Sequence, residues 1–329
     1  MTVYILRSGI MTSNKSSSIP DPDSGKMKES ATDILVVQPT STHTHTIILL
    51  HGRGSNADRF AYDQSITNKP GILHCANSSG QTLPQAFPGM KFVFPTAPRR
   101  RCTARKRTAM NIWFNNSSFE DPFEREELQI DGLSENFQCI SEIVRSEARL
   151  LSLRQVFLGG ISQGCAMALH VLLGFDADEL DADARLGGFI GMSGWLPFQS
   201  AVDSIISPDP ADSLEVGDEE DNPFASETDD DMADEEDCGT KVFRFIREEI
   251  LSIPVCKQEL QVFRKTPIFM GHGDEDDVVE LAHGENAVAV LRALDLDVSW
   301  KVYEQLGHWF DVPATIDDMA AFLKKNIDL

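Results

Sequence analysis

From Ile34 onward, short apolar runs alternate with amphipathic helical patterns, and this alternation restricts the chain to few architectures. Ile34–Val37, Thr46–Leu50, Lys91–Phe94, Gln155–Leu158, Gly188–Met192, Pro267–Met270 and Val298–Tyr303 read as strands. Between them, Leu133–Leu151 places Leu133, Phe137, Ile140, Val144 and Leu151 at helical spacing, and Ala282–Leu294 and Thr315–Ile327 behave likewise. Strands that are apolar on both faces need cover on both faces. The expectation is therefore one α/β domain over 34–329, with a mostly parallel central sheet and helices on both faces.

Two stretches break this rhythm. Met1 to Asp33 is rich in Ser, Pro, Asp and Lys, and reads as a disordered N-terminal tail. Its apolar start, Val3–Leu6, is too short for the core of a signal peptide. The second stretch, about 198–240, explains the net charge of −23. Sixteen acidic residues lie between Asp203 and Asp237, and no Lys or Arg occurs between Arg185 and Lys241. The rest of the chain has 29 basic and 36 acidic residues, an ordinary balance. With Pro208, Pro210 and Pro223 inside it, this stretch reads as a flexible acidic insertion without a packed element.

Gly160-Ile161-Ser162-Gln163-Gly164 is a complete G-x-S-x-G. It follows the strand-like Val156-Phe157-Leu158 and precedes the helical Cys165–Leu172, the strand-turn-helix setting of a nucleophile elbow. A serine hydroxyl is a weak nucleophile until a base takes its proton, and the base must be oriented by a carboxylate. In this kind of fold the acid and then the His follow the Ser in sequence. Of His272, His283 and His308, the last stands in a loop after a strand and before the final helix, where the base is needed. His283 falls within a helix and reads as a surface or packing residue. For the acid, the segment after the strand ending at Met270 offers Asp274, Asp276 and Asp277, and spacing does not choose among them.

These residues resemble the acyl-protein thioesterase and phospholipase/carboxylesterase branch of the α/β-hydrolases. The likeness rests on ordered blocks: His51-Gly52-Arg53-Gly54, Phe94-Pro95-Thr96-Ala97-Pro98, Trp113-Phe114, Gly160–Gly164, Ser193–Pro197, Gly271–Asp276 and Gly307-His308. The resemblance implies Ser162 as nucleophile, Asp276 as the acid, His308 as the base, and backbone N–H groups of Arg53 and Gln163 as the oxyanion hole. It assigns His51 a structural role. It also implies an acyl-enzyme route without cofactor or metal, acting on S-acylated proteins, or alternatively on small esters or lysophospholipids. Three departures stand out: Arg53 where an apolar residue is usual, Asp277 where a Pro often follows, and the long acidic link after Pro197. A non-catalytic interaction protein docking through that link is a further alternative.

Other features point away from competing classes. The acidic balance disfavours nucleic acid as a partner, and no run approaches the roughly 18 apolar residues that span a bilayer. The chain reads as cytoplasmic or nuclear, with at most transient membrane-surface contact. Six scattered cysteines without a CxxC pair suggest neither a zinc site nor a disulfide framework. His43 and His45 lack a third ligand, and the acid runs lack calcium-loop spacing. The basic stretch Arg99 to Arg107 reads as a solvated loop, a nuclear-targeting signal, a headgroup patch or a partner for the acidic run. Trp113 and Phe114 are expected to pack over a pocket rim.

Overall fold

The computed structural model describes residues 3–7, 33–62, 70–177, 184–208, 236–255 and 261–327. Its strands are β1 (Val3–Arg7), β2 (Asp33–Val37), β3 (His45–Leu50), β4 (Met90–Pro95), β5 (Arg99–Cys102), β6 (Thr108–Asn111), β7 (Val156–Ile161), β8 (Gly188–Met192), β9 (Ile268–Gly273) and β10 (Val298–Tyr303). Its α-helices are α1 (Ala57–Tyr62), α2 (Leu83–Ala86), α3 (Ile130–Leu150), α4 (Gln163–Gly174), α5 (Gln199–Ile206), α6 (Cys238–Phe245), α7 (Leu281–Ala293) and α8 (Ala314–Ile327). Eight strands form one sheet in the order β1-β2-β4-β3-β7-β8-β9-β10. Pairing is parallel from β4 to β10, while β1 and β2 run antiparallel to their neighbours.

Strand alternation distributes the core to both faces. In β3, Ile48 and Leu50 join the cluster under α3 and α4, whereas Ile47 and Leu49 join the one under α1 and α8. In β7, Val156 and Leu158 face the first cluster and Phe157 and Ile161 the second. This is the helix-covered, mostly parallel sheet that the alternation predicts.

Several local expectations are corrected. Val3–Arg7 is not part of a tail preceding the fold: it pairs with β2 along its full length, from Val3 opposite Val37 to Arg7 opposite Asp33. Partners so far apart in sequence leave no local pattern for this pairing. Residues 8–32 and 209–235 lie outside the described residues, so the expectation of flexibility across 198–240 bears only on its flanks. Those flanks are packed helices. Val202 of α5 and Val242 and Phe243 of α6 are buried in the main core, and Asp237 caps α6 by accepting from the N–H groups of Gly239 and Thr240. The basic stretch is not a loop but a hairpin, β5 against β6. Trp113 and Phe114 do not rim a pocket: they are fully buried, and Trp113 Nε1 donates to the His51 carbonyl at 2.8 Å.

The return from the insertion is anchored by charge. After α6 a single π-turn, Ile246–Ile250, carries Arg247 into the interior. Its Nη1 lies 2.8 Å from Asp176 Oδ2 and donates to the Gly174 carbonyl at 3.0 Å, while Arg145 of α3 grips the other Asp176 oxygen. Both members of the Arg247–Asp176 pair are 4% exposed, so losing Arg247 leaves a buried carboxylate with Arg145 as the cation still beside it. Arg247→Met is expected to lower unfolding free energy by about 3 kcal/mol in a denaturant titration.

Candidate active site

Ser162 sits at the turn from β7 into α4 with φ 57° and ψ −128°, a conformation rare for a residue with a side chain. The flanking glycines make this turn sterically feasible. A Cβ on Gly164 would stand 2.3 Å from the Leu50 carbonyl oxygen, and one on Gly160 would stand 2.6 Å from the Gly164 carbonyl carbon. The turn is pinned by the Ser162 N–H, which donates to Met192 on β8 at 2.9 Å. Every residue of α4 is buried, and its positive end opens beside Ser162.

His308 and the acidic loop are stitched together by backbone bonds. The N–H of Asp274 donates to Tyr303 and that of Glu275 to Leu306. Gly273 permits the approach, because a Cβ there would lie 2.0 Å from the Leu306 carbonyl oxygen. Of the three candidate acids, Asp276 is the one that meets the imidazole: His308 Nδ1 is 2.8 Å from its Oδ2 and 3.0 Å from its Oδ1. Oδ1 also accepts from the N–H groups of Val278 and Val279 at 3.0 and 2.9 Å. Burial pushes this carboxyl up. The hydrogen bonds of His272 and His308, the charge of His308 and the Val279 N–H outweigh it and hold the group well below the usual carboxylate range.

His272 acquires a role that the sequence did not reveal. Its Nε2 donates to the Val279 carbonyl at 2.8 Å and lies 3.2 Å from Asp276 Oδ2, the oxygen that His308 Nδ1 also meets. The alternating strand pattern of β9 turns it toward Asp276, but a buried polar side chain within a strand gives no sign of its partner. His283 lies in α7, its ring edge-on to Phe123. His43 and His45 are at the other end of β3 from His51, where His43 Nε2 meets Thr46 Oγ1 at 2.9 Å.

His51 holds the neighbouring loops in place. Its Nε2 accepts from the Ala97 N–H at 3.0 Å and its Nδ1 donates to the Gly52 carbonyl at 2.7 Å. Burial lowers its pKa to about 4, so this ring is neutral and locked in one tautomer. Gly52 packs against Ser162, where a Cβ would be 3.4 Å from that of Ser162. Ser162 and His308 line one cavity of about 260 Å³ together with Arg53, Phe60, Val278 and Trp309. The set supplies a hydroxyl, an imidazole braced by an anion, and apolar walls, which suits transfer of an acyl group to Ser162 and on to water.

The Gln163 side chain is a further organising element. Its Oε1 accepts from the Trp113 N–H at 3.0 Å, and its Nε2 donates to the Phe114 carbonyl and to Asn116 Oδ1 at 2.8 and 2.7 Å. With Trp113 also bonded to the His51 carbonyl, the segment 113–116 ties the backbone after Ser162 to the backbone after His51.

The model of the family described as Phospholipase/Carboxylesterase matches residues 31–209 and 250–327. The chain belongs to the phospholipase/carboxylesterase family. Curated relatives named acyl-protein thioesterase 1 are 25% identical in Gibberella zeae, over 89% of this chain and 95% of that protein, and 25% identical in Saccharomyces cerevisiae, over 86% and 92%. Among solved structures, Zea mays acyl-protein thioesterase 2 aligns with a TM-score of 0.55 at 22% identity, covering 89% of this chain and 98% of that one. Arabidopsis thaliana SOBER1 aligns at 0.56 and 20% identity, covering 86% and 99%. These likenesses support the α/β-hydrolase fold. The family match leaves residues 210–249, which include α6, unmatched.

Gln163→Leu keeps the backbone N–H but leaves Asn116 Oδ1, the Trp113 N–H and the Phe114 carbonyl unpaired. A fall of about 10²-fold in kcat, with a small change in KM, is expected in steady-state kinetics.

Proposed function

We propose that this chain is a serine hydrolase that cleaves thioesters of S-acylated proteins. The observation that carries the reading is the shared cavity of Ser162 and His308, with His308 Nδ1 held by Asp276. Relatives named acyl-protein thioesterase 1, which match most of the chain, support this substrate class. Ser162 Oγ attacks the thioester carbonyl and His308 Nε2 takes its proton. The oxyanion is received by the N–H groups of Arg53 and Gln163, fixed backbone donors that need no reorganisation as charge develops. Collapse breaks the C–S bond, and the cysteine thiolate leaves with the proton from His308. Water, deprotonated by the same imidazole, then releases the acid from Ser162. Asp276 holds the productive tautomer throughout.

A second reading, a carboxylesterase of small esters, is favoured by the charged side of the cavity, where Arg53 and Arg59 line the wall. A panel of short- and long-chain acyl groups, presented as oxoesters and as S-acyl peptides, separates the two. Turnover of long-chain S-acyl peptides supports the thioesterase; turnover of short oxoesters alone assigns the second reading.

A further inference from the structure

The cavity holds more positive charge than the proposed chemistry uses. Arg53 lines it with its guanidinium carbon 3.8 Å from the centroid of the Phe119 ring. Arg105, from the turn of the β5–β6 hairpin, lies over the same ring at 5.4 Å, and Arg59 lines the same cavity. Among the described residues, the Arg53 guanidinium forms no ion pair and no hydrogen bond. Other arginines that are buried or part-buried have partners: Arg100 meets Glu135, Arg145 and Arg247 share Asp176, and Arg185 donates to the Leu186 carbonyl. Burial and the nearby Arg105 lower the Arg53 pKa to about 10, with Cys102 acting the other way, so the side chain is still charged at neutral pH.

A desolvated cation beside others of its own sign is unfavourable, and stacking on Phe119 recovers only part of the loss. A planar guanidinium with its donors unused matches the two oxygens of a carboxylate or phosphate. We propose that Arg53 is a specificity determinant that receives an oxyanion, carboxylate or phosphate, carried by the substrate close to its scissile carbonyl. This rests on the reading of Ser162 as nucleophile. Gly52 packs against Ser162 and Arg53 follows it on the wall of the same cavity, so one residue would present a backbone N–H to the reacting carbonyl and a side-chain charge to the neighbouring part of the substrate.

Two pairs of esters test this and locate the anion. On the acyl side, the mono-para-nitrophenyl ester of glutaric acid is compared with the neutral ester of its mono-amide. On the leaving-group side, para-acetoxyphenyl phosphate is compared with para-acetoxybenzamide. At least one charged ester is expected to exceed its neutral counterpart by about tenfold or more in kcat/KM, and the ratio should fall toward one in Arg53→Met. Arg105→Gln, farther from the ring centroid at 5.4 Å, should reduce the ratio severalfold. Equal rates within both pairs, or a preference unchanged in both variants, overturns the proposal. Labelling of Ser162 by a fluorophosphonate separates the two levels. A labelled enzyme with no charge preference sinks only the role of Arg53, whereas no labelling and no turnover sinks the hydrolase reading with it.

Discussion

Ser162→Ala is expected to abolish ester and thioester turnover, a loss of about 10⁵-fold or more in kcat, and to eliminate labelling by a fluorophosphonate. The size follows from the route: without Oγ no acyl-enzyme forms, and only binding and the oxyanion donors remain to assist water. The substitution itself is sterically mild. Ser162 already adopts φ 57° and its N–H still reaches Met192, so the fold should persist with a melting temperature within a few degrees of the parent. A folded Ser162→Ala protein with more than 1% of parental activity, by direct thioester assay, would exclude Ser162 as the nucleophile.

The parts of this molecule that were legible in its sequence are those whose burial is locally periodic. Strands β3, β7, β8 and β9 are apolar on both faces, and the elbow announces itself because Gly160, Ser162 and Gly164 satisfy a steric demand within five residues. What was illegible is held by partners distant in sequence. β1 exists through pairing with β2, and in the β5–β6 hairpin the run Arg99-Arg100-Arg101 fills most of β5 while β6 has no buried residue, so neither strand shows an apolar alternation. Helix α5 and the start of α6 lie at the two ends of an acidic insertion whose composition suggested no packing. Only three-dimensional contact shows that Val202, Val242 and Phe243 reach the core. The site shows the same division. Ser162 and His308 could be selected from local context, whereas Asp274, Asp276 and Asp277 are equivalent in spacing, and only the resemblance had singled out Asp276. The side-chain bonds of Gln163 and His272 depend on loops that meet only in the folded chain.

The choice among those three acids carries the second large expectation. Asp276→Asn should lower kcat by about 10⁴-fold, while Asp274→Asn and Asp277→Asn should each change it less than about tenfold. As a carboxylate, Asp276 can only accept, so it fixes the proton of neutral His308 on Nδ1 and leaves Nε2 free to take the proton of Ser162. An amide at 276 can turn its NH₂ toward His308, favouring the tautomer with its proton on Nε2 and blocking that transfer. Asp274 and Asp277 are exposed side chains that do not meet the imidazole, so their loss leaves the tautomer intact. Equal losses across the three variants would refute the assignment of Asp276. The same substitution has a signature in stability. Because the folded-state pKa of Asp276 is depressed, its ionised form stabilises the fold fully above the ordinary carboxylate value of about 4, and this contribution fades as pH falls toward the lowered value. The gap in unfolding free energy between parent and Asp276→Asn should therefore shrink as pH falls below about 4. A gap that stayed flat into acid would mean that Asp276 is not held as an anion by His272, His308 and the Val279 N–H.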